Sequence, residues 1–360
     1  MSSTTESEQV ILSYDLDFWT GEQVVVCHDR ATGLRGVIAI DDTTLGPGVG
    51  GIRYRAYPDF AAAIREAQRL ASAMTAKNAA AGLPFGGGKA VIFDDGPVAD
   101  RAAFMRAFGR FVLRCGGAYI PGVDMGTTPA DLAIMGGVGA EVSCHLEDPS
   151  PWTALGVWAS IVAAVRHVDG ADSPRGLSIL VQGAGAVGAS LARLAADAGA
   201  RVLVSDIDGD RAVRVAAEVG GEVVLPDAVT STPCDVYAPC AIARVVDEHT
   251  GDTLACRIIA GAANDTLAER ALAERLAARG ITFVPDYIAN AGGVIHIEAT
   301  RAGWDEERLR REVLGCGERT AAVLAQASER GGTPLDAAEA LVRARLHRGP
   351  VPSTIERSGV

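Results

Sequence analysis

Two lysines twelve residues apart, Lys77 and Lys89, bracket the stretch KNAAAGLPFGGGK. The surrounding LASAMTAKNAAAGL is small and apolar, and a lysine is almost never fully buried without a partner or a task. Gly86, Gly87 and Gly88, just ahead of Lys89, remove the Cβ atoms that keep a backbone away from a ligand and admit conformations with positive φ. Such a turn is suited to holding a small anionic molecule. A phosphate-binding P-loop, G-x-x-x-x-G-K-[ST], does not fit. Counting from Gly82 leads to Gly87, which is followed by Gly88 instead of Lys, and Lys89 is followed by Ala90 instead of a hydroxyl. From these residues alone, a plain turn between helix and strand with both lysines snorkelling outward fits as well.

A second constellation is more specific. Residues 177–181 read as a strand, residues 183–188 spell G-x-G-x-x-G, residues 189–198 read as a helix, and residues 200–205 as a second strand ending at Asp206. In this context Gly183 makes the tight turn, Gly185 lets a pyrophosphate approach the backbone, and Gly188 seats the helix close to the strand. Ala186 and Val187 fill the positions between these glycines, and the helix that follows offers free N–H groups and a positive dipole end to phosphates. Asp206 would accept hydrogen bonds from ribose hydroxyls and repel a 2′-phosphate, which favours NAD over NADP.

The elements that must position these groups come next. A chain of 360 residues predicts about two domains, and 48% hydrophobic content with 5% aromatic residues and 42 glycines describes an α/β protein. The net charge of −12 argues against nucleic acid and anionic membrane surfaces as partners. No apolar stretch is long enough to span a bilayer, and MSSTTESEQV is polar, unlike a signal peptide or anchor. Seven scattered cysteines without a C-x-x-C pair point to a reducing cytoplasm and away from a structural metal. Residues 22–29 and 34–39 read as a hairpin, 45–54 as a glycine-rich loop, 60–74 as a helix, 90–93 as a short buried strand and 102–115 as a helix. Asp124 ends a strand in a loop, and Thr128 or Asp131 starts another helix. A helix covers 154–167. Beyond the fingerprint, 234–241, 257–265 and 281–297 continue the sheet, each closing an apolar run with small residues that face a ligand, among them Ala241, Ala262, Asn264 and Asn290. Residues 304–347 read as charged helices that pack back across the first domain.

In this order, LPFGGGK, GVDMGTT, VQGAGAVG, DVYAPCA, GAAND and PDYIANAGG resemble the glutamate, leucine, phenylalanine and valine dehydrogenase superfamily over nearly the whole chain. The resemblance implies an N-terminal α/β substrate-binding and oligomerisation domain (residues 1–150) and a doubly wound, Rossmann-type NAD-binding domain (151–325), with a cleft between them. A helical tail (326–360) would pack back on the first domain. It also implies NAD-dependent oxidative deamination of an L-amino acid to a 2-oxo acid and ammonia in a homo-oligomer. Lys77 matches the lysine that holds the α-carboxylate, Lys89 the catalytic lysine and Asp124 the aspartate that shuttles protons at the amino group. A lysine kept from water near another cation favours its neutral form, as a base working near neutral pH requires.

Glutamate-specific relatives carry a lysine before the G-G-x-R motif, where this chain has Val49 ahead of Gly50 and Gly51, so a hydrophobic side chain is implied. Gly122, two residues before Asp124, stands where leucine-preferring relatives tend to have Ala and phenylalanine-preferring ones Gly, so the resemblance implies room for a ring, with Ile297 beside Val294 as the far wall. Phenylalanine is therefore favoured, with branched-chain amino acids, an unusual amino acid of a specialised pathway, or a catalytically weak NAD-binding paralogue as alternatives. Departures from the family pattern are Ile52, Ala243, Arg244, Glu147 and Asp148. His145, His296, Cys234 and Cys240 read as structural residues, and one of Trp152 and Trp158 as an oligomer contact.

Overall fold

Two sheets organise the chain in the computed structural model, which describes residues 19–143 and 148–350. The first combines β1 (Gln23–Asp29), β2 (Leu34–Asp42), β3 (Gly48–Arg55), β4 (Gly86–Phe93) and β5 (Tyr119–Val123) in the order β1-β2-β4-β3-β5. β2 pairs antiparallel with both β1 and β4, whereas β3 runs parallel to both β4 and β5. Helix α1 (Phe60–Ala80) covers one face, and α2 (Arg101–Arg114) and α3 (Pro129–Gly136) cover the other. Asp59 caps α1 by accepting from the Ala62 N–H at 2.6 Å, and Thr128 and Asp131 form a capping box on α3 behind Pro129.

The second sheet follows α4 (Ser150–Asp169). Its strands are β6 (Ser178–Gln182), β7 (Arg201–Ser205), β8 (Glu222–Val223), β9 (Val236–Pro239), β10 (Ile258–Ile259) and β11 (Thr282–Phe283), all parallel, in the order β11-β10-β9-β6-β7-β8. This is the doubly wound arrangement, and its reversal point between β6 and β9 is where such sheets bind ligands. Among the connecting helices are α5 (Ala186–Asp197), α6 (Gly209–Val219), α7 (Glu248–Thr253) and α8 (Leu272–Ala278). The chain then runs through α9 (Asp286–Ala289), α10 (Gly292–Ala302), α11 (Glu306–Arg330) and α12 (Pro334–Arg348). α11 lies along α4, while Ala337, Ala338 and Val342 of α12 share one apolar cluster with Ala79 and Ala80 of α1. None of the described helices is long and apolar enough to cross a membrane.

Several local expectations are corrected. Gly86, Gly87 and Gly88 are not in a turn but inside β4; the turn is at Gly82, with φ of 74°. What the strand needs is closeness: a Cβ on Gly86 would collide with the Asp42 carbonyl, one on Gly87 with Thr75 of α1, and one on Gly88 would lie 2.6 Å from the Tyr119 ring. The segment 45–54 is a loop only to Pro47 and then becomes β3, the strand next to β4. Helix α1 runs past Met74 to Ala80, which places Lys77 in its last turn. Residues 281–297 hold only a two-residue strand, so Asn290 lies between two helices and Val294 and Ile297 sit on α10.

The glycine argument is testable by denaturant unfolding. Gly86→Ala is expected to cost about 2–3 kcal/mol or more, since main chain would have to move, whereas Gly209→Ala, with open space around it, should stay within about 0.5 kcal/mol. Equal midpoints for the two variants would contradict the close-approach account.

Candidate active site

Side-chain alternation along β4 and β3 assembles the site. Gly87, Lys89 and Val91 share the face of β4 under α1, and Arg53 of β3 projects to the same face, where it meets Glu66 of α1 at 2.7 Å. Lys89 is 6% exposed and donates to Asp124, which follows directly on β5. Asp124 is held in turn: its Oδ1 accepts from the Met125 N–H at 2.6 Å, and its own N–H donates to Thr127 Oγ1 at 3.0 Å. Gly51 makes the room, because a Cβ there would stand 2.7 Å from that of Asp124.

Arg53 is the second cation on the same carboxylate, 3.4 Å from Asp124 Oδ2. Burial alone would push the Asp124 carboxyl up, but Lys89 and Arg53 outweigh it and hold it below the usual carboxylate range. Burial also dominates at Lys89, lowering its pKa against the opposing pull of Asp124. A lysine whose neutral form burial favours thus sits on a carboxylate held in its charged form by Lys89 and Arg53. Such an arrangement suits a base with a fixed counter-charge.

Lys77 reaches across from α1. Its Nζ donates to Asn264 Oδ1 at 2.7 Å, and Asn290 Nδ2 donates to the same oxygen at 2.9 Å and to the Ala262 carbonyl at 3.0 Å. Burial pushes Lys77 down to about 8, opposed chiefly by Asp286 and reinforced by Lys89. Asp286 accepts from the Thr266 and Tyr287 N–H groups, and burial raises its own pKa. A further link between the domains is the ion pair of Arg69 with Asp265.

These groups line one cavity of about 690 Å³. It brings together Lys77, Lys89, Asp124, Gly50, Gly122, Val294 and Ile297 with Val187, Ala262, Asn264 and Asn290. Val49 is not among them: it is fully buried in an apolar cluster with Phe85 and Ile120, while Gly50, Gly51 and Arg53 of the same strand border the cavity. Gly185 and Ala186 instead line an adjoining cavity of about 650 Å³ with Arg211 and Arg214, and Asp148 borders both.

The fingerprint residues fit a dinucleotide. Gly183 has φ of 101°, and a Cβ on it would come within 2.7 Å of Ala241; one on Gly188 would strike the Gly183 carbonyl; around Gly185 the space is open. Gly185 starts α5 with no side-chain cap, leaving its first N–H groups for a phosphate. Asn290 Oδ1 is buried without a partner among the described residues, an acceptor available to a bound molecule. Asp206 is more engaged than its position at the end of β7 implies: it accepts from the Ala184 N–H at 2.7 Å and the Asp208 N–H at 2.8 Å, with Arg211 at 3.7 Å. Among the described residues no group of three His, Cys, Asp or Glu could hold a metal.

The unusual residues have distinct places. Ile52 is fully buried in the core on the far face of β3. Arg244 has φ of 57°, where glycine is the easiest residue, and its N–H donates to the carbonyl of Asp265, itself at φ of 50°. His296 is buried and stacks on Trp152; Cys234 and Cys240 are free thiols outside the four-residue β9. Glu147 and His145 lie outside the described residues. Arg53, Glu66 and Asp286 were given no role from sequence, although Arg53 closes the G-G-x-R motif at Gly50 and Gly51; Lys77 and Lys89 are the only lysines in the chain, every other Lys/Arg position being arginine.

Sequence profiles agree with this geometry. One described as "Glu/Leu/Phe/Val dehydrogenase, dimerisation domain" matches residues 21–138, and one described as "Glutamate/Leucine/Phenylalanine/Valine dehydrogenase" matches residues 210–346. The chain is 40% identical to leucine dehydrogenase of Bacillus subtilis (strain 168), covering 91% of this chain and 92% of that protein. To valine dehydrogenase of Streptomyces albus it is 37% identical, with 90% and 92% covered. The crystal structure of L-tryptophan dehydrogenase from Nostoc punctiforme superposes with a TM-score of 0.80 at 36% identity, over 92% of this chain and 97% of that one.

With two lysines in the chain, amine-specific labelling read by peptide mass spectrometry reports on the site directly. Lys77 is expected to reach half its limiting labelling rate near pH 8, and Asp286→Asn should lower that midpoint by removing a carboxylate that favours the cation. A wild-type midpoint near the ordinary lysine value of about 10.4 would refute the shielding described for it.

Proposed function

Because this chain belongs to the glutamate/leucine/phenylalanine/valine dehydrogenase family, we propose that it catalyses the reversible, NAD-dependent oxidative deamination of a hydrophobic L-amino acid to its 2-oxo acid and ammonia. The observation that carries the reading is the buried Lys89 on Asp124, with Arg53 behind it, in the same cavity as Lys77 and Asn264. When bound, NAD supplies the oxidant that takes up the hydride from Cα. Lys77, as a cation, holds the substrate carboxylate. Asp124 takes and returns protons at the amino nitrogen. Neutral Lys89 draws a proton from the water that attacks the imine carbon; once protonated, it stabilises the carbinolamine oxygen and its collapse to the oxo acid and ammonia.

Gly183, Gly185, Ala186, Val187, Gly188 and Asp206 are assigned to the dinucleotide, with Ala241, Ala262, Asn264 and Asn290 on its cavity side. Gly50, Gly122, Val294 and Ile297 are assigned to the substrate side chain. The cavity's apolar lining by Leu70, Met74, Val294 and Ile297 favours a hydrophobic substrate over glutamate. A preference for phenylalanine rests on Gly122 and Ile297 alone, since the relatives named above act in name on leucine, valine and tryptophan. Residues 1–150, 151–325 and 326–360 are taken as substrate domain, NAD domain and tail. Self-association is supported by the description of the first profile and by the solvent-facing edge strand β1, with Val26 56% exposed. The unpaired cysteines suit a cytoplasmic setting.

NADH formation at about pH 10, where the free amine predominates, should be seen with leucine, valine, phenylalanine or tryptophan and be weakest with glutamate. Lys89→Ala is expected to lower kcat by roughly 10²–10⁴. Lys77→Ala should act mainly on KM, by about tenfold to a hundredfold for a lost charge-assisted hydrogen bond. No turnover of any amino acid by a folded wild-type protein that binds NAD would sink the assignment.

A further inference from the structure

Behind the main cavity lies a smaller one of about 150 Å³, and Ile297 lines both. The two approach each other again at Gly122, which borders the main cavity and whose missing Cβ would stand 2.9 Å from Ser143 Oγ in the smaller one. Val49, Phe85 and Ile120 form an apolar base there, and Ser143, Thr300 and Glu141 supply its polar groups. The Ser143 hydroxyl donates to the Pro121 carbonyl at 2.9 Å, and the Thr300 hydroxyl donates to the His296 carbonyl at 3.0 Å. Both protons are therefore committed to main chain, and only oxygen lone pairs remain. Glu141 adds a carboxylate with no ion-pair partner among the described residues. The cation in the lining, Arg301, is held by Glu298 at 2.9 Å and lies over the Phe85 ring.

Resting on the amino-acid dehydrogenase reading, we propose that this second cavity receives the far end of the substrate side chain, and that the preferred substrates are L-amino acids with a large flat apolar side chain ending in a hydrogen-bond donor, such as an indole N–H or a phenol O–H. The lining offers acceptors to such a tip. Glu141 and Thr300 are exposed and Ser143 is half-buried, so water meets these acceptors until a side chain fills the cavity; one of the same shape without the donor displaces that water without replacing its hydrogen bond, and a site of this kind discriminates more strongly than one that measures only size. Ser143 and Thr300 are then specificity-determining residues, with Ile297 the partition between the cavities.

The test compares kcat/KM for tyrosine and tryptophan with that for phenylalanine and leucine, in the wild type, Ser143→Ala and the near-isosteric Thr300→Val. Tyrosine or tryptophan should lead phenylalanine by about tenfold or more in the wild type, and the ratio should fall to within about threefold in the variants. Calorimetry without turnover provides a second reading: 3-(4-hydroxyphenyl)propionate or indole-3-propionate should bind more tightly than 3-phenylpropionate, with the difference reduced by Thr300→Val even if Ser143→Ala does not fold. Turnover of leucine and phenylalanine with no donor preference in either measurement overturns this inference and leaves the proposed reaction standing. Donor-ranked binding with no turnover of any amino acid supports the cavity assignment and overturns the reaction instead.

Discussion

A buried lysine on a buried aspartate is the constraint from which the rest of the site follows. Lys89 can occupy the face of β4 beneath α1 only if its charge is met when present and tolerated when absent. Asp124 meets the charge, and Arg53 keeps Asp124 compensated after Lys89 has released its proton. Removing one member of a buried pair ordinarily leaves an uncompensated charge, a loss of several kcal/mol. A permanent guanidinium behind the carboxylate reduces that loss, in keeping with a lysine whose pKa burial lowers. Glu66 in turn balances Arg53 and Arg69, so the cluster extends from the strand to the helix that covers it.

Bringing these charges within reach of one another requires backbones closer than side chains normally permit. Gly86, Gly87 and Gly88 let β4 press against its neighbours, and Gly50 and Gly51 do the same on β3. The glycines are therefore structural first, and the cavity is what the omitted Cβ atoms leave behind. Lys77 benefits from the same compression. Carried on the last turn of α1, it reaches the Asn264 loop of the other domain, while Arg69 reaches Asp265 from two turns earlier. The cavity consequently has one wall from each domain, and the contacts joining the domains are also site residues.

Much of this was legible in the chain. The dinucleotide fingerprint could be read because a strand, a tight turn and a helix are local: Gly183, Gly185 and Gly188 act on atoms a few residues away, and the period of the flanking apolar residues shows in sequence. Lys77, Lys89 and Asp124 emerged because lysines in apolar surroundings are rare enough to demand a reason, and because their motifs recur in order. What sequence could not settle was direction and partnership. Gly86 to Gly88 have the composition of a turn, and only the proximity of Asp42, Thr75 and Tyr119 makes them a strand. Val49 adjoins Gly50 in the chain, yet it packs into an apolar cluster with Phe85, Ile120 and Ile295, which come from distant segments. Arg53, Glu66 and Asp286 look like ordinary charges until long-range folding places them beside Asp124 and Lys77. The sequence by itself determined the fold class, the nucleotide-binding turn and the identity of the two lysines, because each depends on local pattern. The tertiary structure alone decided which charges meet, which cavity each residue faces and how the cavities adjoin, because those depend on contacts between segments far apart in the chain.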